Sequence, residues 1–489
     1  MTDVFPRTLL DALAADSATP AFEHGGRTVS RGELLDLVSR YAGGLLAAGL
    51  DQPAEVAVAT GVTPEGFAVQ TAAHALGHCV VAVKPGLTVA EAAHVVGGAD
   101  VVVTDATTQP EVLAAARKVL PLGTLAAEPV PLAPRGRPDD LATVVYTSGS
   151  TGLPKGVEFT YAAMTARWAW RTDGWTDDTR RLAGRYRRFL LFGTLASAVM
   201  QEHLGLCLLG GGTAVIPDAV PIFPQVLEQL RITAVLLTVP RLNSILEVLR
   251  EREADLSSLR SVLVAGSPLP PHQLVAAYDL IGDAVHHGYG QTETGMLCLL
   301  TAEEAAAYPE AVASVGRPWT GVELEIRDED GKPVPAGETG EIWVRTANAC
   351  RGYRGEDAGE VLRDGWVRTR DLGRLDERGY VYLTGRARDV IIINAILHYA
   401  GPIESALAAH PDVDEAYVVG APDERTGEAA HAFVVAAPGR EPDLEALRLA
   451  VREELGESAV PATITVVDSV PVAPSGKPDK AALLATLRT

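Results

Sequence analysis

Tyr146-Thr147-Ser148-Gly149-Ser150-Thr151-Gly152-Leu153-Pro154-Lys155-Gly156 is the stretch on which the reading of this chain turns. It follows an apolar, β-type run from Leu141 to Tyr146 and crowds hydroxyls, glycines and one lysine into a short loop. A loop that grips phosphate needs those residue types. Glycines let backbone N–H groups approach an anion, hydroxyls donate hydrogen bonds, and the ammonium offsets charge. The Walker A pattern does not fit, because Lys155 is followed by Gly156 and not by Ser or Thr. The dinucleotide fingerprint GxGxxG does not fit either. On composition alone a Ser/Gly surface turn accounts for the stretch equally well, so the decision falls to the rest of the chain.

The chain has 489 residues, 47% of them hydrophobic and 21% charged, which is a globular composition too long for one ordinary core. The net charge of −21 argues against sequence-independent binding to nucleic acid. Cys79, Cys207, Cys298 and Cys350 are scattered, with no CxxC pair, and read as reduced thiols of a cytoplasmic protein. No basic-then-apolar leader opens the chain. The most apolar stretch, Phe189 to Ile216, is broken by Gln201, Glu202 and His203, so no membrane span is expected.

Helical and strand signals alternate through the first part of the chain. Arg31 to Ala48, Ala68 to Gly77 and Val89 to Val96 read as helices. Glu55 to Ala59, Val80 to Val83 and Asp100 to Val103 read as strands. This rhythm predicts α/β architecture with mainly parallel sheets, continuing through strands at Thr233 to Val239 and Ser261 to Ala265. Beyond Pro318, short alternating strands with Asp/Gly turns predict a small antiparallel barrel. After Asp389 comes an α+β unit: a helix at Gly401 to Ala409, strands at Glu415 to Gly420 and Ala430 to Ala436, a helix at Leu444 to Leu455, and a strand at Thr463 to Val467. The expected division is an N-terminal domain over 1–385, a hinge at 386–389 and a small mobile domain over 390–489.

Four further segments follow the first in order. They are Gly288-Tyr289-Gly290-Gln291-Thr292-Glu293-Thr294-Gly295, Gly340-Glu341-Ile342-Trp343-Val344-Arg345, Thr369-Arg370-Asp371-Leu372-Gly373 leading to Gly385-Arg386-Ala387-Arg388-Asp389, and Pro474-Ser475-Gly476-Lys477-Pro478-Asp479-Lys480. Each is weak alone; together, in this order, they make the chain resemble the adenylate-forming superfamily. That superfamily holds acyl- and aryl-CoA ligases, adenylation domains of peptide synthetases, luciferases and stand-alone amide bond synthetases. The resemblance extends from about Ala21 to Leu487.

The resemblance implies ATP and Mg²⁺ as cofactors and assigns roles by position. Thr147, Ser148, Gly149, Ser150, Thr151 and Lys155 would hold the β- and γ-phosphates. Thr292 would lie near the α-phosphate, Glu293 would bind Mg²⁺, and Tyr289 would stack on adenine. Asp371 and Arg386 would contact the ribose, whose hydroxyls a carboxylate can accept. Lys477 would reach from the small domain to the carboxylate and α-phosphate oxygens, with Asp389 as the hinge. Ala265, Gly266, His287 and Gly288 would line the acid pocket, although His286 and His287 also read as simple strand-end residues.

Two departures shape the expected function. CoA ligases usually carry a glycine pair, or glycine with a small polar neighbour, in the loop past the hinge. This chain has Asn394-Ala395 there, and the Ala395 Cβ would crowd a thiol channel. Gly193 to Ser197 hold only small residues and Leu195 where many relatives carry an aromatic residue or His, leaving room for a wide, flat acid. Only nine residues follow Lys480, too few for an attached carrier domain. The function implied is an ATP-dependent ligase that adenylates an aromatic carboxylic acid, a β-carboline-type acid among the candidates. It would then pass the acyl group to an amine, giving amide, AMP and pyrophosphate. An aryl- or acyl-CoA ligase is the alternative.

Overall fold

Short, largely apolar runs build the core of the first sheet. Val101–Thr104 is buried at every residue, as a strand covered on both faces must be. The computed structural model describes residues 4–147, 153–356, 359, 361–387, 389–393, 396–423, 425–473 and 477–487. In it this strand belongs to a seven-stranded sheet ordered Gly352–Tyr353, Lys155–Thr160, Leu141–Thr147, Cys79–Ala82, Glu55–Ala59, Val101–Thr104, Val119–Pro121. Leu141–Thr147 joins Cys79–Ala82 in parallel and Lys155–Thr160 antiparallel, with Thr147 opposite Lys155. Ser148, Gly149, Ser150, Thr151 and Gly152 lie outside the described residues.

The helix expected over Arg31 to Ala48 spans Arg31–Ala47. Its start is a capping box: Glu33 N–H donates to Ser30 Oγ at 3.2 Å, and Ser30 N–H donates to the Glu33 carboxylate at 2.7 Å. A Cβ on Gly44 would stand 1.6 Å from the Leu125 carbonyl oxygen, so the helix lies directly against that backbone. Gly44→Ala is therefore expected to lower the free energy of unfolding by about 1–3 kcal/mol or more, the usual cost of overpacking. Chemical denaturation checks this, and an unchanged midpoint would contradict the close approach.

A second, nine-stranded sheet is ordered Arg317–Pro318, Gly295–Thr301, Val285–Gln291, Ser261–Val264, Ala234–Leu237, Arg188–Leu190, Thr213–Val215, Pro20–His24, Arg27–Ser30. From Pro20–His24 through Val285–Gln291 the neighbours pair in parallel, and both flanks are antiparallel. The strand expected over Thr233 to Val239 ends at Leu237, because Val239 already begins a helix reaching Glu251. Pro240 sits in its first turn, where a missing N–H costs nothing. The apolar stretch Phe189 to Ile216 resolves into the end of a strand, the helix Ala198–Leu209 and another strand. Among the described residues no helix is long and apolar enough to cross a membrane.

Beyond Pro318 the strands are antiparallel, as expected, but among the described residues they pair in an open order and not as a closed barrel. Glu323–Arg327, Thr339–Arg345, Trp366–Leu375 and Leu362–Arg363 pair in that order, and Val381–Arg386 joins Trp366–Leu375. The last sheet contains Val390–Ile393, Ile396–Tyr399, Val413–Asp423, Gly427–Ala436 and Thr463–Val467, with helices Ala400–Ala408 and Leu444–Leu455 packed on it. Its apolar cluster, including Ile391, Ile403, Leu407, Val434, Leu447 and Ile464, draws on no residue before Asp389. Polar contacts help join it to the larger body. Asn243 Nδ2 donates to Glu415 Oε1 at 2.5 Å, and Gln273 Nε2 donates to the Asp414 carbonyl at 3.2 Å.

Candidate active site

The nine-stranded sheet folds back on itself through the turn Gln291 to Gly295, which carries Thr292 and Glu293. A Cβ on Gly290 would lie 2.4 Å from the Gly295 carbonyl oxygen, so only glycine permits this return. Backbone contacts fix the turn: Cys350 N–H donates to the Glu293 carbonyl at 2.7 Å, and Asn348 Nδ2 donates to the Thr294 carbonyl at 2.6 Å. The Glu293 carboxylate accepts a hydrogen bond from Tyr353 Oη at 2.5 Å through Oε1. Lys155 lies next to this pair, its ammonium 5.2 Å from the centre of the Tyr353 ring and 2.7 Å from Glu356 Oε1. Two strands of one sheet and the turn of another thus bring Lys155, Tyr353 and Glu293 together.

Asp371 is the most heavily bonded of the expected site residues. It is 4% exposed and sits on the strand Trp366–Leu375. Tyr289 Oη and Gln291 Nε2 both donate to Oδ2, at 2.6 and 2.5 Å, and Arg386 Nε donates to Oδ1 at 3.0 Å. Burial and the Asp371 carboxylate push the Tyr289 phenol well above its ordinary pKa, so the hydroxyl remains a donor. Tyr289 is buried, and its polar end is committed to Asp371.

Lys477 arrives from the last part of the chain. Its Cε lies 3.5 Å from where a Cβ on Gly266 would be, and Gly266 has φ +101°, a conformation that favours glycine. Glycine here serves the turn after Ser261–Val264, and the lysine stem packs within van der Waals reach of it. Lys477 as a whole stays exposed, yet desolvation at its ammonium and the Arg386 guanidinium lower its pKa. Glu293 and Asp371 act on it in the opposite sense, which places Lys477 within electrostatic reach of both carboxylates.

The other pocket candidates are neighbours on the sheet. Val264 pairs with His287, which sets Ala265 and Gly266 beside Gly288 and Tyr289. His287 is not at a strand end but the third residue of Val285–Gln291, and its buried Nδ1–H donates to the Ser314 carbonyl at 3.2 Å. Burial lowers its pKa to about 4, so it is neutral near pH 7. His286, beside it, points to Arg185, whose Nη1 donates to Nε2 at 2.8 Å, and burial with that guanidinium lowers it to about 3. Asp389 bonds within and beyond its segment: its N–H donates to the Arg386 carbonyl at 3.1 Å, and its Oδ2 accepts from Lys480 Nζ at 3.1 Å. Tyr353, Glu356 and Gln291 were not assigned a role by sequence reasoning. Only Gln291 lies inside a motif that could have drawn attention to it.

The buried histidines set a pH dependence. Burial lowers His74 and His287 to about 4 and His203 and His286 to about 3. The unfolded chain binds a proton at each near pH 6.5, whereas the native state does not. Stability is thus complete above about pH 6.5 and falls toward pH 4, by up to about 1.4 kcal/mol per pH unit for each histidine. Denaturation at stepped pH reads this slope; a flat profile from pH 7 to 5 would contradict it.

With this geometry in hand, comparison with known proteins places the chain. Residues 10–354 match the AMP-binding enzyme family, and residues 402–477 match the AMP-binding enzyme C-terminal domain. The chain belongs to that family, the adenylate-forming enzymes, and is an AMP-forming carboxylate ligase. It is 34% identical to a feruloyl-CoA synthase from an Amycolatopsis species over 94% of each chain. It is similar to the structure of the amide bond synthetase McbA from Marinactinospora thermotolerans, with a TM-score of 0.86, 32% identity, and 98% of this chain and 99% of that one covered. The o-succinylbenzoate-CoA synthetase MenE from Bacillus subtilis, in complex with ATP and magnesium ion, matches with a TM-score of 0.80 and 26% identity over 97% of this chain and 98% of that one.

Proposed function

We propose that this chain is an ATP-dependent amide bond synthetase for aromatic carboxylic acids. In the first step an acid oxygen attacks the α-phosphorus of ATP, giving acyl-AMP and pyrophosphate. In the second an amine attacks the acyl carbon, AMP leaves, and the amine loses a proton. The observation that carries this reading is the end-to-end likeness to an amide bond synthetase. The sequence Asn394-Ala395, which lies outside the described residues, adds support, since Ala395 brings a Cβ where a thiol channel favours glycine.

Lys477 stabilises charge on the carboxylate and α-phosphate oxygens, and Thr292 lies beside the α-phosphate. Lys155, with Thr147 and the residues 148–151, grips the β- and γ-phosphates. Asp371 and Arg386 hold the ribose and Tyr289 flanks the adenine, with Ala265, Gly266, His287 and Gly288 along the acid. The donor set suits a magnesium ion: Glu293 offers one oxygen with no partner among the described residues, and Mg²⁺ takes few carboxylates plus phosphate oxygens. Bound there, Mg²⁺ supplies countercharge for the polyphosphate. The separate apolar cluster after Asp389 supports a mobile unit over 390–489 turning about 386–389 on the body 1–385.

An acid–CoA ligase is the second reading, favoured by the likeness to feruloyl-CoA synthase. Incubating the protein with MgATP, a panel of aromatic acids, and either CoA or an arylalkylamine separates the two by product mass. Amide with AMP supports the proposal, and thioester without amide reverses it.

A further inference from the structure

Lys84 is a cation that none of the roles above uses. It follows two residues after Ala82, the last paired residue of Cys79–Ala82, and Ala82 is in register with Val145. Val145 in turn stands two residues before Thr147, where the phosphate loop opens. The parallel register therefore delivers Lys84 to the same edge of the sheet as Thr147 and Lys155, one strand over. His94 Nε2, which bonds the Pro154 carbonyl at 3.0 Å, ties the helix that follows Lys84 to the far end of that loop.

Two features set Lys84 apart from an ordinary surface lysine. It has no ion-pair partner among the described residues. It also stands within electrostatic reach of Lys477: desolvation and the Lys477 ammonium both lower its pKa. Two ammonium groups within reach of each other, with no carboxylate paired to Lys84 among the described residues, repel each other until an anion lies between them. The nearest chemistry that supplies one is the polyphosphate of ATP, which the loop beside Lys84 would grip.

We propose that Lys84 is a phosphate-binding residue outside the loop, which holds the β- and γ-phosphate oxygens of ATP and then the pyrophosphate that leaves. Charge grows on the pyrophosphate as the bond from the α-phosphorus to the bridging oxygen breaks, and the Lys84 ammonium meets that charge from the side of the sheet. Lys477 meets the opposite end of the transferring group, on the carboxylate and α-phosphate. The two lysines thus divide the anion between them, and their mutual repulsion is relieved only when both ends are occupied.

This inference rests on the adenylation step, and its test keeps the two apart. In acid-dependent exchange of labelled pyrophosphate into ATP, Lys84→Met is expected to raise the half-saturating concentrations of ATP and of pyrophosphate together, by about 10- to 100-fold. That is the worth of one charge-assisted hydrogen bond. The half-saturating concentration of acid should stay in place, and Lys84→Arg should recover most of the loss. Acyl transfer from pre-formed acyl-AMP involves no pyrophosphate and exposes any general folding defect. If the acid concentration alone moves, Lys84 reads a second charge on the acid and the inference falls. It falls equally if only acyl transfer slows, or if Lys84→Met behaves as wild type. Absence of acid-dependent exchange in the wild-type protein would sink the adenylation reading instead. Calorimetric binding of pyrophosphate to wild type and Lys84→Met then still decides the role of Lys84, with equal affinities overturning it.

Discussion

Lys477→Ala is expected to slow acid-dependent pyrophosphate release by ~10²–10³, the usual cost of removing one donor aimed at developing charge. ATP should still bind. The groups that would hold the nucleotide, Lys155, Glu293 and Asp371, are braced by Tyr353, Gln291 and Arg386 without help from Lys477. Lys477 belongs to the part of the chain beyond the polar contact at Asn243–Glu415, and its stem lies against Gly266. Its loss should leave acyl transfer from pre-formed acyl-AMP nearly intact, a split that general unfolding cannot produce. Near wild-type pyrophosphate release from the variant would remove Lys477 from the first step.

Asp389→Pro carries the second large effect. The Asp389 N–H holds the Arg386 carbonyl, its own carbonyl accepts from Ala400 N–H at 2.9 Å, and its carboxylate binds Lys480, which also pairs with Glu404 at 2.8 Å. One residue is thus fastened to the strand before it through the backbone and to the small unit through its side chain. Proline removes the N–H and fixes φ near −65°, which restricts rotation about this point. The expected result is that one half-reaction keeps most of its rate while the other falls at least about tenfold, or 1.4 kcal/mol in the barrier. With Lys477 beside Gly266, acyl-AMP formation is the step expected to be retained. Separate assays of acyl-AMP formation and of amide formation from pre-formed acyl-AMP read this directly. Equal loss in both, or loss in neither, would remove alternation about Asp389 from the cycle.

How much of this was legible in the sequence depended on whether a signal was local. The helix Arg31–Ala47 was read nearly to the residue, since Ser30 and Glu33 cap it and its apolar face repeats at helical spacing. The helix Ala198–Leu209 was not read, because Met200, Leu204, Leu206, Cys207 and Leu208 are buried along with Glu202 and His203, so no polar face marks the period. The strand ending at Leu237 ran on in the reading to Val239, because an apolar helix start looks like more strand. In the site, motifs pointed to Lys477, Glu293 and Asp371 as separate residues. The bonds that join Asp371 to Tyr289 and Gln291 cross between strands far apart in sequence and left no pattern. Tyr353, Glu356 and Lys84 are a lone tyrosine, glutamate and lysine outside any motif, and only the folded contacts of the first two and the sheet register of the third reveal them.

The most direct measurement starts past the first step. Acyl-AMP made from an aromatic acid is given to the enzyme in a single turnover with equal concentrations of CoA and an arylalkylamine, and the products are weighed by mass. The account predicts that the acyl group goes to the amine, with amide far in excess of thioester and of the uncatalysed background. Thioester as the main product, or amide formed no faster than without enzyme, would contradict it.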